Sequence, residues 1–268
     1  MIKIGIVGCG TIGSYIAKTV LNKYKKRIYL VGVCDQQKQS IINLNRSLKK
    51  NIKSYSLHQL IKKCDLVIEA ACGEAARIVT DLAADYGKDV MIMSVGGLLL
   101  NPQVLKKVEQ KKIKLYVPSG AIAGLDALKA ARMGKITEVK LTTKKPLAGL
   151  KGADYLQKHN IDLKKIKNER IIFAGSAQEA VKGFPKNINV AAILSLVGLG
   201  AKKTQVCIIA SAKIKRNTHT IEIKGDFGKI ICCTENVPSN VNPKTSMLAI
   251  LSAQATLEGI LNNIKIGT

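Results

Sequence analysis

Tryptophan is absent from this chain of 268 residues, phenylalanine occurs three times, and aromatic residues make up 4% of the total. No platform for stacking bases is visible, which argues against a nucleic-acid binder of the stacking type. No apolar run reaches the roughly eighteen residues that a membrane-spanning helix requires. The sequence enters an apolar strand pattern at residue 2, so no signal peptide is expected. Cysteines stand at 9, 34, 64, 72, 207, 232 and 233, an odd number with no CxxC pair. Neither a zinc centre nor a disulfide framework is expected from that pattern, and a reducing cytoplasm is the natural location.

Acidic residues are scarce too: 18 against 43 lysines and arginines, a net charge of +25. The cations are scattered rather than gathered into one stripe. Their denser groups, Lys23, Lys25, Lys26 and Arg27, then Lys106, Lys107, Lys111 and Lys112, read as solvated helix faces. Non-specific attraction to polyanions at low salt is expected, but no specific nucleic-acid partner. The same positive field would steer an anionic cofactor or substrate.

What the sequence does contain begins at once. Ile2–Val7 leads into Gly8-Cys9-Gly10-Thr11-Ile12-Gly13, and a helical pattern follows at Tyr15, Ile16, Thr19 and Val20. Strand, glycine turn and helix in that order are the context of a dinucleotide fingerprint. Gly8 suits the tight turn, Gly10 the approach of backbone to a pyrophosphate, and Gly13 close packing of helix on strand. The helix N-terminus, with Thr11 and Ile12, offers unpaired N–H groups to the phosphates. A second apolar run, Ile28–Cys34, ends in Asp35, at the distance where a carboxylate accepts the ribose hydroxyls. Asp35 argues for NAD, while Gln36, Gln37 and Lys38 beside it leave NADP open.

The alternation continues with helices over 40–49 and 57–62, a buried strand at 66–71 and a crossover helix at 74–86. A strand follows at 90–93, then a helix opened by Asn101 as cap and Pro102, and a fifth strand at 113–117. Such repeats give an α/β fold of Rossmann type, a doubly wound parallel sheet. After residue 121 the pattern changes. Segments 136–143, 205–211, 219–224 and 229–233 are rich in β-branched residues and separated by turn signals, which predicts a second, mixed α/β domain with a largely antiparallel sheet. Helices are expected at 176–181, 187–198 and 245–262. Residues 1–121 read as the dinucleotide-binding domain, with 244–268 returning to it as a helix, and 122–243 as the substrate domain.

Pro118-Ser119-Gly120-Ala121-Ile122-Ala123-Gly124-Leu125-Asp126-Ala127 lies at the C-terminal end of the fifth strand, where doubly wound sheets bind ligands. With Glu69-Ala70-Ala71, Met93-Ser94-Val95-Gly96, Phe184-Pro185-Lys186-Asn187-Ile188-Asn189-Val190, Asn217-Thr218-His219 and Asn242-Pro243-Lys244-Thr245-Ser246, it resembles the L-aspartate dehydrogenases of archaeal and bacterial type. The match runs essentially end to end. The resemblance implies that Ala123 and Asn189 contact the dinucleotide, NAD or NADP, and that His219 is the catalytic acid/base. It also implies oxidative deamination of L-aspartate through iminosuccinate to oxaloacetate and ammonia, a homodimer, and a supply of imine to NAD biosynthesis. Gly97 departs from the pattern, where a bulkier residue is expected.

The chemistry supports a histidine independently. Hydride leaves Cα only when the nitrogen lone pair is free, so the ammonium must first lose a proton, and hydration of the imine again moves protons. A group titrating near neutrality suits both steps. Of His58, His159 and His219, only the last starts a strand of the second domain. The two substrate carboxylates call for cationic or amide groups, for which Lys186, Asn187, Lys244 and Thr245 are candidates and Arg216 a weaker one. Two alternatives stay open: another amino-acid or dicarboxylate oxidoreductase of the same architecture, and a non-enzymatic NAD-binding redox sensor.

Overall fold

Lys3 is the one charged residue in the opening run, the composition of a strand buried on both faces. In the computed structural model, which describes residues 1–184 and 189–268, this run forms β1 (Ile2–Val7) inside a five-stranded parallel sheet. The other strands are β2 (Ile28–Cys34), β3 (Leu66–Glu69), β4 (Asp89–Ile92) and β5 (Leu115–Tyr116), in the order β2-β1-β3-β4-β5. The chain leaves β1 to one side and, after β2, returns to the other. The C-terminal ends of β1 and β3 therefore flank the point where the winding reverses, the usual ligand crevice of such sheets.

The chain divides into two compact units, residues Met1–Pro118 with Ile250–Ile264, and Ser119–Ala249 with Lys265–Thr268. In the first, α1 (Thr11–Lys23), α2 (Lys38–Leu48) and the C-terminal helix α12 (Met247–Leu261) share one core with the sheet. Ile16, Ala17, Val20, Leu44, Ala253 and Leu257 pack with Ile4, Ile6 and Ile68. Lys23 pairs with Glu258 at 3.0 Å, and Gln254 donates to Thr19. On the opposite face, α3 (Leu57–Lys63) sets Leu60 and Cys64 so close to Gly5 that a Cβ there would overlap both. Next come α4 (Gly73–Asp85), α5 (Gly96–Leu99) and α6 (Pro102–Lys111). Lys107 ties α6 to α4 through Asp81 and Asp85, at 2.7 and 2.8 Å.

Three details differ from the sequence reading. β3 ends at Glu69 rather than residue 71, because the Glu69 carboxylate accepts from the backbone N–H of Ala71 and turns the chain. Asn101 does not cap α6; its amide instead donates to the Gly97 carbonyl, satisfying the end of α5. Finally, Gly97 is required rather than anomalous: a Cβ there would collide with the Gly73 carbonyl, where α4 and α5 meet.

In the second unit, β6 (Ile136–Pro146), β7 (Glu169–Ser176), β8 (Gln205–Ser211), β9 (Asn217–Gly225) and β10 (Gly228–Asn236) form a sheet in the order β10-β9-β6-β8-β7. Only the β6–β8 pairing is parallel, so the sheet is mixed and largely antiparallel, as expected. β7 was not anticipated from sequence. The predicted turn at Asp226-Phe227 closes the β9–β10 hairpin.

Helices α7 (Leu125–Ala131), α8 (Leu147–Leu150), α9 (Asp154–Lys158), α10 (Ala177–Gly183) and α11 (Asn189–Val197) complete this unit. Ser176 and Glu179 form a reciprocal cap on α10. The inner sheet face alternates Val139 and Leu141 on β6 with Val206, Ile208 and Ala210 on β8 and Ile221 and Ile223 on β9, all buried.

Gly97→Ala should lower stability by about 1–3 kcal/mol, the usual cost of forcing an extra methyl into a packed contact. A urea unfolding midpoint equal to that of the parent would show that α4 and α5 can separate at no cost.

Candidate functional site

The glycine turn sits at the C-terminal end of β1. Two of its three glycines are demanded by the protein's own packing. Gly8 adopts φ +97° against the Ala70 backbone, and a Cβ at Gly13 would strike the Gly8 carbonyl. At Gly10 a Cβ would meet nothing within 4 Å, so the space beside it is what a phosphate needs. Gly10 is the N-cap of α1, which has no side-chain cap and no acidic residue in its first turn. Thr11 and Ile12 open that turn, and the positive end of the helix is left to an anion.

Asp35 follows β2 and is held from two sides. Its Oδ2 accepts from the Cys9 N–H at 2.7 Å and its Oδ1 from the Gln37 N–H at 2.8 Å. The carboxylate lines a cavity of about 430 Å³ together with Gly8, Gly10, Gln37, Ser40 and Leu57. Gly8, Gly10 and Asp35 are thus brought to one cavity, with a donor-rich helix end and a fixed acceptor. Those residues fit the phosphates and the ribose of a dinucleotide. The Cys9 thiol is pushed up to about 12, first by burial and then by the neighbouring Asp35 and Cys34. It is no nucleophile at neutral pH.

His219 lies near the start of β9, directly opposite Thr143 of β6 and Thr234 of β10. It is 6% exposed, and its Nδ1 is 3.0 Å from the Thr143 hydroxyl. Two residues further along β6, on the same face, Lys145 is also 6% exposed. Burial above all, then the Lys145 charge, pulls the His219 imidazole down to about 4. Lys145 itself is drawn down to about 8 by burial. His219 is therefore neutral at pH 7 and able to accept a proton, beside an ammonium still largely charged.

On β10, Thr234 and Asn236 both donate to the Ala121 carbonyl, at 2.9 and 3.0 Å. Gly124, at φ +82°, comes so near Cys232 that a Cβ would press on its sulfur. These contacts fix the small-residue segment 121–124 on the hairpin and leave Ala123 exposed. The inner face thus ends in a polar group of Thr143, Lys145, His219, Thr234 and Asn236, beyond rows that are otherwise apolar. Sequence reading missed Thr143 and Lys145. The signal was available in the alternation of β6, where Val139, Leu141, Thr143 and Lys145 occupy the inward phase.

Other expected residues are placed differently. Asn189 is exposed at the start of α11. Lys244 and Thr245 lie in the turn before α12, where the Lys244 N–H donates to the Asn242 side chain and the Thr245 N–H to its carbonyl. Nothing described joins Lys244 or Thr245 to His219. Lys186 and Asn187 lie outside the described residues. The remaining histidines have structural partners: His58 meets the Tyr86 hydroxyl at 3.1 Å, and His159 stacks on Tyr155 at 4.0 Å. Among the described residues no group of three His, Cys, Asp or Glu side chains could hold a metal ion, and no helix is long and apolar enough to cross a membrane.

Two family models match the chain: an aspartate dehydrogenase C-terminal model over residues 126–260, and a homoserine dehydrogenase NAD-binding model over 8–118. An L-aspartate dehydrogenase of Methanosarcina acetivorans is 44% identical over the whole of both chains, and one of Methanocaldococcus jannaschii 40% over the same extent. A Bordetella bronchiseptica relative is 34% identical over 99% of this chain and 97% of its own. Among solved structures, aspartate dehydrogenase from Thermotoga maritima superposes with a TM-score of 0.76 at 24% identity, covering both chains fully, which speaks for the fold. With relatives this similar from end to end, and a family model that matches residues 126–260, the chain belongs to the L-aspartate dehydrogenase family.

Proposed function

We propose that this protein oxidises L-aspartate with NAD or NADP, through iminosuccinate, to oxaloacetate and ammonia. The observation that carries the reading is His219, a buried, neutral imidazole in a polar group at the end of an otherwise apolar sheet face, in a chain of this family. The dinucleotide, when bound, takes the hydride from Cα. The residues of the chain handle protons and position. Gly10, Thr11 and Ile12 present N–H groups to the pyrophosphate, and Asp35 accepts the adenosine ribose hydroxyls. Ala123 and Asn189 contact the dinucleotide in the second unit.

Neutral His219 accepts the proton that the substrate ammonium must lose before its lone pair can expel hydride. It then returns and removes protons as water adds to the imine and ammonia leaves. The Thr143 hydroxyl at Nδ1 holds the ring so that Nε2 is the working nitrogen. Lys186, Asn187, Lys244 and Thr245 remain the sequence-derived candidates for the substrate carboxylates. The imine product is chemically suited to a condensing step on the way to a pyridine ring, which would link the enzyme to NAD biosynthesis.

We also propose a homodimer in the cytoplasm. The outer face of the second sheet exposes Ile171 and Ile231 at 61% and 58%, apolar area that a second copy would cover. All seven cysteines are free thiols, which suits a reducing compartment.

Purified protein with L-aspartate and NAD should generate reduced nicotinamide, and His219→Ala should lower kcat by about 10²–10⁴ with the dinucleotide affinity unchanged. Protein that binds dinucleotide but turns over neither aspartate nor oxaloacetate with ammonia would remove the reading. For cofactor choice, Asp35→Asn drops the charge that repels a 2′-phosphate while keeping one acceptor oxygen. The ratio of NADP to NAD efficiency should rise about tenfold or more in steady-state assays, and an unchanged ratio would place selection elsewhere. Ile231→Glu should shift the sedimentation coefficient towards a monomer; a parent protein that already sediments as one would dispose of the dimer.

A further inference from the structure

β6 carries two adjacent lysines, Lys144 and Lys145, and the pleat sends them to opposite faces. Lys144 takes the outward phase and pairs with Glu169 at 3.0 Å. Lys145 takes the inward phase, continuing the line of Val139, Leu141 and Thr143, and ends 6% exposed next to the Ala210 register position of β8. Burying an ammonium costs several kcal/mol before its interactions offset the loss of water. An apolar residue at this position would avoid that cost, so what shares the face with Lys145 bears on its role.

The neighbourhood indicates the use. Thr143 faces His219 across the β6–β9 pair, and Lys145 is the next residue on that face. From β10 the facing groups are Thr234 and Asn236, both neutral. Lys145 is the charged group that acts on the imidazole from the described strands.

We propose that Lys145 receives one of the two carboxylates of a dicarboxylic substrate and so holds the substrate amine against His219. The proposal rests on the reading of His219 as the acid/base and adds the residue that recognises the substrate class. In aspartate one carboxylate is attached to Cα and the other to Cβ, so a molecule whose ammonium meets His219 presents a carboxylate one or two carbons away. A cation two residues along the same face lies within that reach, and an ammonium–carboxylate pair in a buried setting is among the stronger hydrogen bonds available.

The arrangement also couples binding to catalysis. In the free protein the Lys145 charge discourages protonation of His219, on top of the effect of burial. A carboxylate seated on Lys145 cancels that charge and adds a negative one near the ring, so His219 binds protons more readily once substrate is present. A general base works best when its affinity for protons approaches the ambient pH. His219 therefore becomes a better base in the complex than in the free protein, and the gain requires a carboxylate.

The test uses the full-length protein with Lys145→Met, which keeps the length and removes the charge, and Lys145→Arg, which restores it. Succinate serves as probe, a dicarboxylate without the reacting amine. KM for L-aspartate and the succinate inhibition constant should each rise about tenfold or more in Lys145→Met and recover in part in Lys145→Arg. Dinucleotide affinity should stay unchanged in both. The His219 ring is followed by NMR, assigned with His58 and His159 variants. Saturating succinate should move its titration towards neutral pH in the parent, but not in Lys145→Met, where the free ring should already titrate higher.

An unaltered KM in Lys145→Met, or a His219 titration indifferent to succinate in the parent, overturns the proposal. Should Lys145→Met fail to fold, the parent titration and Lys145→Arg decide the matter alone. A parent that cannot oxidise aspartate yet shows the succinate response would sink the aspartate reading and leave the dicarboxylate site standing.

Discussion

The register of β6 against β9 is the constraint on which the polar end of the second sheet depends. Side chains along a strand alternate with a period of two, so a slip of one residue exchanges the entire inward set for the outward one. Here the inward set is Val139, Leu141, Thr143 and Lys145, and the pairing of Thr143 with His219 brings a hydroxyl, an imidazole and an ammonium to one end of an apolar face. The apolar members oppose such a slip, because a shift of one residue would turn Val139 and Leu141 away from the face they share with Ile221 and Ile223. Packing at one end of the strand thus decides which polar side chains share a face at the other. The hairpin extends the arrangement: Thr234 and Asn236 of β10 both hold the Ala121 carbonyl, so the small-residue segment is fixed by the strand that flanks His219.

In the first unit a single carboxylate plays the organising part. Glu69 is fully buried at the end of β3 and accepts from the Ala71 N–H, the Ser94 N–H and the Ser94 hydroxyl, at 2.7, 3.0 and 2.8 Å. Burial pushes its carboxyl up and the hydrogen bonds pull it back. The effect is to tie the turn after β3 to the turn after β4. Gly8 rests its backbone on Ala70, one residue beyond Glu69, so the shape of the glycine turn is itself braced by this carboxylate network. Gly8 and Gly13 then answer to packing and Gly10 to open space, a division of labour that the bare GxGxxG spacing does not reveal.

Much of this was legible in the sequence. The glycine turn, Asp35, the order of strands and helices in the first unit and four strands of the second are all set by local hydrophobic pattern and turn residues. What escaped has physical reasons. β7 opens on Glu169 and Arg170 and is an edge strand with Ile171 left exposed, so its pattern does not look half-buried. α5 is a single turn permitted by the contact between Gly97 and Gly73, a tertiary circumstance with no local signature. Asn101 bears the mark of a cap but spends its amide on Gly97. Lys145 sits in a Lys-Lys-Pro run that reads as a solvated charge run, and only the register tells which of the two lysines is buried. His219 stands out in the sequence only because histidines are few and a family resemblance singles one out; nothing in its own segment announces a buried ring.

The contrast between Lys145 and the other basic residues shows how position decides what a charge can do. A net +25 spread over exposed side chains raises the local concentration of anions and speeds their arrival, but in water each such cation interacts weakly and salt screens it. It cannot tell aspartate from any other anion. A cation on the buried face of a sheet acts through a lower dielectric, with strand neighbours that fix its direction. In the proposed role it distinguishes a dicarboxylate from an amino acid lacking the second acid, because only the former brings a carboxylate to meet that ammonium. The proposal thus gives attraction at long range and selection at short range to different lysines, and on β6 the pleat alone separates Lys144 from Lys145.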